Sequence, residues 1–206
     1  RDVTSAYCAA ASDVDKGQDV RALARVARYL AGAGRVVYQY PWQSRPALRV
    51  FTDSDFAGCI ATRLSTSGGA VMLGNHLLKH WASTQKRITL SSGEAEYYGG
   101  VSLAAEALHM KSVMGFLAMP VEIRLRLDSS AAKAVCQRIG VGRIRHLEVR
   151  SLWLQGKVRD KEIVVFKQDG ETNISDIGTK SLAGPRFRWM REQIGRIVLG
   201  DASNYE

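Results

Sequence analysis

The feature that most restricts this chain is the order in which two-residue and helical periodicity alternate between Ala47 and Lys167. "ALRVFT", "GGAVMLGN" and "LLKHWAST" are short apolar runs, the last two joined at Gly74-Asn75, a tight-turn signal. They predict an antiparallel meander. One long helical stretch follows, "SSGEAEYYGGVSLAAEALHMKSVMGFL". "VEIRLRLD" then alternates apolar and charged residues, as a strand with one buried face does. "SSAAKAVCQRIG" predicts a short helix closed by Gly140, "RHLEVRSLWLQGKVRD" another helix, and "KEIVVFKQ" a last strand. "NISDIGTKSL" and "PRFRWMREQIGRIVL" predict two terminal helices, the second led by Pro185. The order β-β-β-α-β-α-α-β-α predicts an α/β fold with a mixed sheet flanked by helices.

Upstream, "RVVYQYPWQSRPALRVFT" predicts a strand, a proline-broken loop and a second strand. Before it, Asp19 is placed to cap a helix over "VRALARVARYLAGAG". Val20, Leu23, Val26, Ala27 and Leu30 fall on one face of that helix, and Gly32 and Gly34 end it. The first twenty residues read as a small, polar linker. The chain begins with Arg1, which fits excision from a longer protein.

Four acids stand where elements end or begin. Asp53 ends the first meander strand, Glu96 lies one turn into the long helix, Asp128 ends "VEIRLRLD", and Asp176 starts a later helix. A carboxylate at the end of a half-buried strand is costly unless it is paired or metal-bound. If the first and fourth strands are neighbours, Asp53 and Asp128 emerge side by side, at the strand ends where α/β sheets gather ligands. Clustered carboxylates repel unless a cation neutralises them, and hard oxygen donors without His or Cys suit Mg²⁺ or Mn²⁺. Asp53 and Asp55 are two apart, so strand periodicity does not choose between them. Glu94 completes a capping box with Ser91, whereas Glu96 lies about 200° further round and is free to face the sheet. Each acid also has a bland reading: Asp128 as a helix cap, Asp176 as a first-turn acid, Asp53 and Asp55 as turn residues.

Lys and Arg number 29 against 20 Asp and Glu, a formal charge of +9. That imbalance points to a polyanion partner, nucleic acid before membrane. Residues 122–160 alone hold nine Lys/Arg and four Asp/Glu. Arg143 and Arg145, in a Gly-flanked loop, are candidates for phosphate contacts, which position without reading sequence. Ser91 and Ser92 at the helix start are candidate donors to phosphate or 2′-hydroxyl groups. Trp81 and Trp153 sit in apolar periodic segments and are assigned to the core. Cys8, Cys59 and Cys136 are scattered, odd in number and form no C-x-x-C, so an intracellular, reducing compartment is expected and a zinc site is not. No apolar run reaches membrane-spanning length.

Five separated motifs, "FTDSDFAGCIATRLSTSGGAVMLG", "WASTQKRITLSSGEAEYYG", "LRLDSSAA", "RIRHLEVRSLWLQ" and "NISDIGTK", resemble in order the ribonuclease H domain of copia-type retrotransposon polyproteins. "ALARVARYLAGAGRVVYQY" resembles the segment that joins reverse transcriptase to it. The resemblance implies a five-stranded mixed sheet, three antiparallel strands plus two parallel, with a ribonuclease H domain over 46–200 and a connection remnant over 1–45. It implies Asp53, Glu96, Asp128 and Asp176 as catalytic, metal-holding residues, choosing Asp53 over Asp55 and Glu96 over Glu94. It further implies two Mg²⁺ or Mn²⁺ ions, an RNA–DNA hybrid substrate cut to 5′-phosphate and 3′-hydroxyl ends, and the reverse transcriptase portion as a partner. The location implied is a cytoplasmic virus-like particle; a monomer with no membrane partner is expected. His146 matches a His of the copia group and joins the candidate substrate contacts, with a capping or core role the alternative.

The sequence departs from the wider family in two places. The loop "KQDGETNIS" has no His, and no basic substrate-gripping helix fits between the relevant elements. Gly99 and Gly100 interrupt the long helix at about 1 kcal/mol each and are expected to soften it beside Glu96. Two other readings stay open: a DNA nuclease or integrase of similar architecture, and an inactive nucleic-acid-binding remnant. The position of Glu96 favours ribonuclease H over the first, and four intact acids disfavour the second.

Overall fold

The computed structural model describes residues 16–32, 35–44, 47–142, 144 and 146–199. Helix α1 (Lys16–Gly32) and strand β1 (Arg35–Tyr38) precede the meander β2 (Leu48–Asp55), β3 (Thr66–Leu73) and β4 (His76–Thr84). Then come α2 (Ser92–Phe116), β5 (Ile123–Leu127), α3 (Ser130–Gln137), α4 (Trp153–Arg159) and β6 (Ile163–Lys167). A 3₁₀ turn (Ile174–Gly178), α5 (Gly184–Gln193) and β7 (Arg196–Leu199) complete the chain.

The main sheet has the order β4-β3-β2-β5-β6. β2, β3 and β4 pair antiparallel, while β5 joins β2, and β6 joins β5, in parallel. This is the five-stranded mixed sheet expected, turned at Gly74 with φ +57°. Strand alternation explains its two faces. Leu48 and Val50 from β2, Ile123, Leu125 and Leu127 from β5, and Ile163 and Val165 from β6 pack under α2, α3 and α4 with Tyr97, Leu103 and Leu154. Each such side chain contributes roughly 1.5–3 kcal/mol when fully buried. Trp81 and Trp153 pack against this core, as expected. On the other face Phe51, Ala70, Met72 and Leu77 meet Ile174 and Ile194. Among the described residues no helix is long and apolar enough to cross a membrane.

Five local expectations are corrected. α1 begins at Lys16, so Asp19 lies inside it and is not its cap. Its expected apolar face stays open, with Val20 66%, Leu23 58% and Leu30 56% exposed, although Tyr29 packs edge-on against Phe187. "RHLEVRSLWLQ" forms a 3₁₀ turn at Val149–Ser151 before the short α4, and "NISDIGTK" stays 3₁₀, pinned by Asn173. The last predicted helix stops at Gln193, because Gly195 turns at φ +70° and the chain leaves as β7, antiparallel to β1.

The glycine pair does not break α2, which runs unbroken through it, and both residues are buried against the sheet. A Cβ on Gly99 would lie 2.8 Å from Thr52 Oγ1, and one on Gly100 would lie 3.3 Å from a Leu127 methyl. The glycines bring the helix down onto the strands beside which Glu96 must sit.

Candidate active site

The last in-register pair of β2 and β5 is Thr52 with Leu127, so the next residues, Asp53 and Asp128, emerge together. The 3₁₀ turn crosses β2 and β3 and delivers Asp176 from above. Oxygens of Asp53, Asp128 and Asp176 all lie within 4.8 Å of one another. Asp53 and Asp176 are each 1% exposed.

Glu96, on α2, is not among the three acids whose oxygens meet within 4.8 Å, but it lies close enough for Asp128 and Asp53 to act on it through space. Its Oε1 accepts a 2.7 Å hydrogen bond from the Ser54 amide. Its Oε2 is buried and, among the described residues, has no hydrogen-bond partner. Burial, then Asp128, then Asp53 push the carboxyl up to about 9. Burial followed by Asp53 likewise raises Asp128, and burial raises Asp176 against the opposing hydrogen bond of Lys180. An oxygen-only donor set, an orphaned buried carboxyl oxygen and acids held above their ordinary range fit a hard divalent cation.

The choices that spacing left open are visible here. Asp55 folds back over its own turn: a Cβ on Gly58 would fall 1.8 Å from its Oδ2. Ser91 is the α2 N-cap, accepting from Glu94 N at 3.2 Å, while Glu94 Oε2 accepts from Leu90 N at 2.8 Å. Glu94 is thereby turned away from Glu96's task. Asp128 does not cap α3; Ser129 does, accepting from Ala132 N. Ser92 is exposed at the first turn of α2. His146 Nε2 lies 2.9 Å from Glu94 Oε2, so the imidazole braces the capping acid rather than the cluster. Arg143 and Arg145 lie outside the described residues.

Several partners were not foreseen. Lys180 Nζ sits 2.9 Å from Asp176 Oδ1 and 3.1 Å from Asp53 Oδ1. Burial pulls the ammonium down, but the two carboxylates outweigh it and hold it above its ordinary value. Thr179 donates to Asp53 Oδ2, and Arg186 Nη2 donates to Asp176 Oδ2 at 2.8 Å. Buried Asn173 donates to Thr52 O at 2.9 Å, accepts from Ser175 Oγ at 2.6 Å and hydrogen-bonds Asp128. Gln85 Nε2 donates to Ser67 Oγ and Ala95 O, each at 2.8 Å, tying β3 to α2. The i,i+4 spacing of Asp176 and Lys180 was a readable signal for an ion pair. Nothing local marked Gln85.

No family model matches the chain. Over 154 residues, 74% of its length, it is 28% identical to the retrovirus-related Pol polyprotein from transposon TNT 1-94 of Nicotiana tabacum. Over 187 residues, 86% of its length, it is 25% identical to the corresponding polyprotein from transposon RE1 of Arabidopsis thaliana. Both relatives are retrovirus-related Pol polyproteins of plant transposons. The chain spans 12% of the length of these Pol polyproteins. Among solved structures, LC11-RNase H1, isolated from compost, superposes with a TM-score of 0.42 and 18% identity, covering 64% of this chain and 91% of that one. The copia-type Pol resemblance carried by the five motifs thus agrees with relatives found over most of the chain.

Proposed function

We propose that the chain is a ribonuclease H, a metal-dependent endonuclease that hydrolyses the RNA strand of an RNA–DNA hybrid and leaves 5′-phosphate and 3′-hydroxyl ends. One observation carries the reading: Asp53 and Asp128, at the ends of neighbouring strands, and Asp176, on the 3₁₀ turn, bring carboxylate oxygens within 4.8 Å of one another. Asp53, Glu96, Asp128 and Asp176 would hold two Mg²⁺ or Mn²⁺ ions. Bound there, the ions supply charge stabilisation to the scissile phosphodiester and to the water that attacks it.

The chain's own residues supply position. Asp53 follows Thr52, the last residue of the β2–β5 register, and lies within 4.8 Å of both Asp128 and Asp176. Ser54 N–H holds one oxygen of Glu96, and among the described residues the other, buried oxygen has no hydrogen-bond partner. Asn173 locks the 3₁₀ turn to Thr52, so Asp176 moves with β2. Ser91 Oγ already accepts from Glu94 N, and its hydroxyl hydrogen remains to donate to a phosphate or 2′-hydroxyl at the helix start, beside exposed Ser92. His146 acts through Glu94 and the helix cap. The +9 charge supplies non-specific attraction to a nucleic-acid backbone. The Pol relatives are far longer, and the reverse transcriptase portion of a parent polyprotein is the partner this reading assigns to the chain.

The test is a 5′-labelled RNA–DNA hybrid incubated with Mg²⁺, with EDTA, and with Asp128→Asn. Metal-dependent cutting of the RNA strand alone is expected. Cutting that survives EDTA or Asp128→Asn, or cutting of duplex DNA in preference to hybrid, overturns the reading.

A further inference from the structure

We propose that Lys180 is a built-in counter-ion for the Asp53–Asp176 half of the carboxylate cluster, and that a divalent ion enters that half only by displacing it. The inference rests on the metal-holding role proposed above and divides the cluster into two unequal halves.

The hydrogen-bond partners of the four acids support the division. On one side, both oxygens of Asp176 and both of Asp53 are already engaged. Lys180 holds Asp176 Oδ1 at 2.9 Å and Asp53 Oδ1 at 3.1 Å, Arg186 holds Asp176 Oδ2 at 2.8 Å, and Thr179 donates to Asp53 Oδ2. On the other side the donors are neutral. The Asn173 side chain bonds Asp128, the Ser54 amide bonds Glu96 Oε1, and Glu96 Oε2 has nothing. Lys167 and Lys180 reach Asp128 only through space. The carboxyl groups without a directly bonded cation therefore lie on the Asp128–Glu96 side.

The two cations differ in what holds them. Arg186 is anchored three ways, to Asp176, to Glu171 Oε2 at 3.0 Å and to Gly170 O at 2.8 Å. It grips Asp176 as a fixture and fixes the direction of that carboxylate. Lys180 follows the 3₁₀ turn on a flexible four-carbon stem, with 44% of its side chain exposed. Among the described residues its ammonium bonds only those two carboxylates. The side chain is partly open to solvent, and among the described residues swinging out breaks no other hydrogen bond. A divalent ion offers twice the charge at the same oxygens, whereas the lysine satisfies them when metal is scarce.

The experiment counts bound Mn²⁺ by the electron paramagnetic resonance of the free ion, on the EDTA-stripped and dialysed chain. The wild type should show two steps, the second weaker by about tenfold or more, since displacing a unit charge near 3 Å is costly. Lys180→Gln should tighten the weaker step by about tenfold and leave the tighter one within about twofold. Lys180→Arg, which keeps the charge should the glutamine variant fail to fold, should leave the weaker step weak. Lys167→Gln removes a charge from the Asp128 side and should not tighten the weaker step. Two wild-type steps that Lys180→Gln leaves unchanged overturn the inference while sparing the metal-holding role. Tightening by Lys180→Arg or Lys167→Gln equal to that by Lys180→Gln also overturns it. Absence of Mn²⁺ binding in the wild type and in every variant overturns the metal-holding role itself.

Discussion

The Ser54 amide donates to Glu96 Oε1 over 2.7 Å, so the strand that carries Asp53 grips the helix acid with its very next residue. The contact spans 42 positions of sequence and brings α2 to the strand end. It also buries a carboxyl whose second oxygen has no donor.

That burial has a pH signature. The Glu96 carboxyl is pushed up to about 9 in the fold, by burial first and then by Asp128 and Asp53, against an ordinary value of 4.5. Between those values the folded state binds more protons than the unfolded one, so metal-free stability falls as pH rises. Urea unfolding of the metal-free chain should give lower stability at pH 8 than at pH 5. Glu96→Gln should flatten that dependence and stabilise the chain at pH 8 by on the order of 1 kcal/mol, about one pKa unit. Saturating Mg²⁺ should remove most of the wild-type slope.

Asp128→Asn should separate stability from activity. The amide removes a half-buried charge that burial and Asp53 already disfavour. Metal-free stability should rise by a few tenths to about 1 kcal/mol after allowance for solvent screening. Hybrid cleavage should fall by about 10²-fold or more, since the charge is needed where the scissile group reacts. Thermal melting and a cleavage time course read the two effects.

Gly99 and Gly115 lie on the same helix and should answer oppositely to alanine. A Cβ at Gly99 would lie 2.8 Å from Thr52 Oγ1, whereas one at Gly115 would meet nothing within 4 Å. Gly99→Ala should cost about 1–3 kcal/mol through overpacking and reduce cleavage, because Thr52 precedes Asp53. Gly115→Ala should gain up to about 1 kcal/mol from helix propensity and leave cleavage unchanged. Paired denaturant titrations check the contrast.

Asn173→Ala should harm the site from a residue outside the four acids. It removes the bond to Thr52 O and the partner of Ser175 Oγ in a fully buried place. A loss of about 1–3 kcal/mol is expected from the orphaned groups. Hydrogen exchange should report faster opening of residues 174–178, and hybrid cleavage should fall with it.

The parts of this molecule legible in the sequence were those with a local signal. Alternation in "VEIRLRLD" and the Gly74-Asn75 turn gave the strands, and their pairing puts Asp53 and Asp128 together. The capping-box spacing of Ser91 and Glu94 set Glu94 apart from Glu96, and in the fold Glu94 does turn back to the helix start, onto Leu90 N. What stayed hidden depended on contacts far apart in the chain. Gln85 gathers Ser67 and Ala95, and Lys180 reaches back 127 positions to Asp53. The glycine pair read as a helix defect because propensity describes an isolated helix, and the sheet beneath it could not be seen. The helix expected through Leu199 failed at Gly195, where a strand partner 160 residues away outweighed local preference.

The ribbon formed by Arg35–Tyr38 with Arg196–Leu199 has a bearing on how the protein can be shortened. A version trimmed to begin at the strand that carries Asp53 would keep every acid yet strip the partner from its final segment. The bare edge left behind would invite self-association, and an inactive preparation of that kind would report aggregation instead of chemistry.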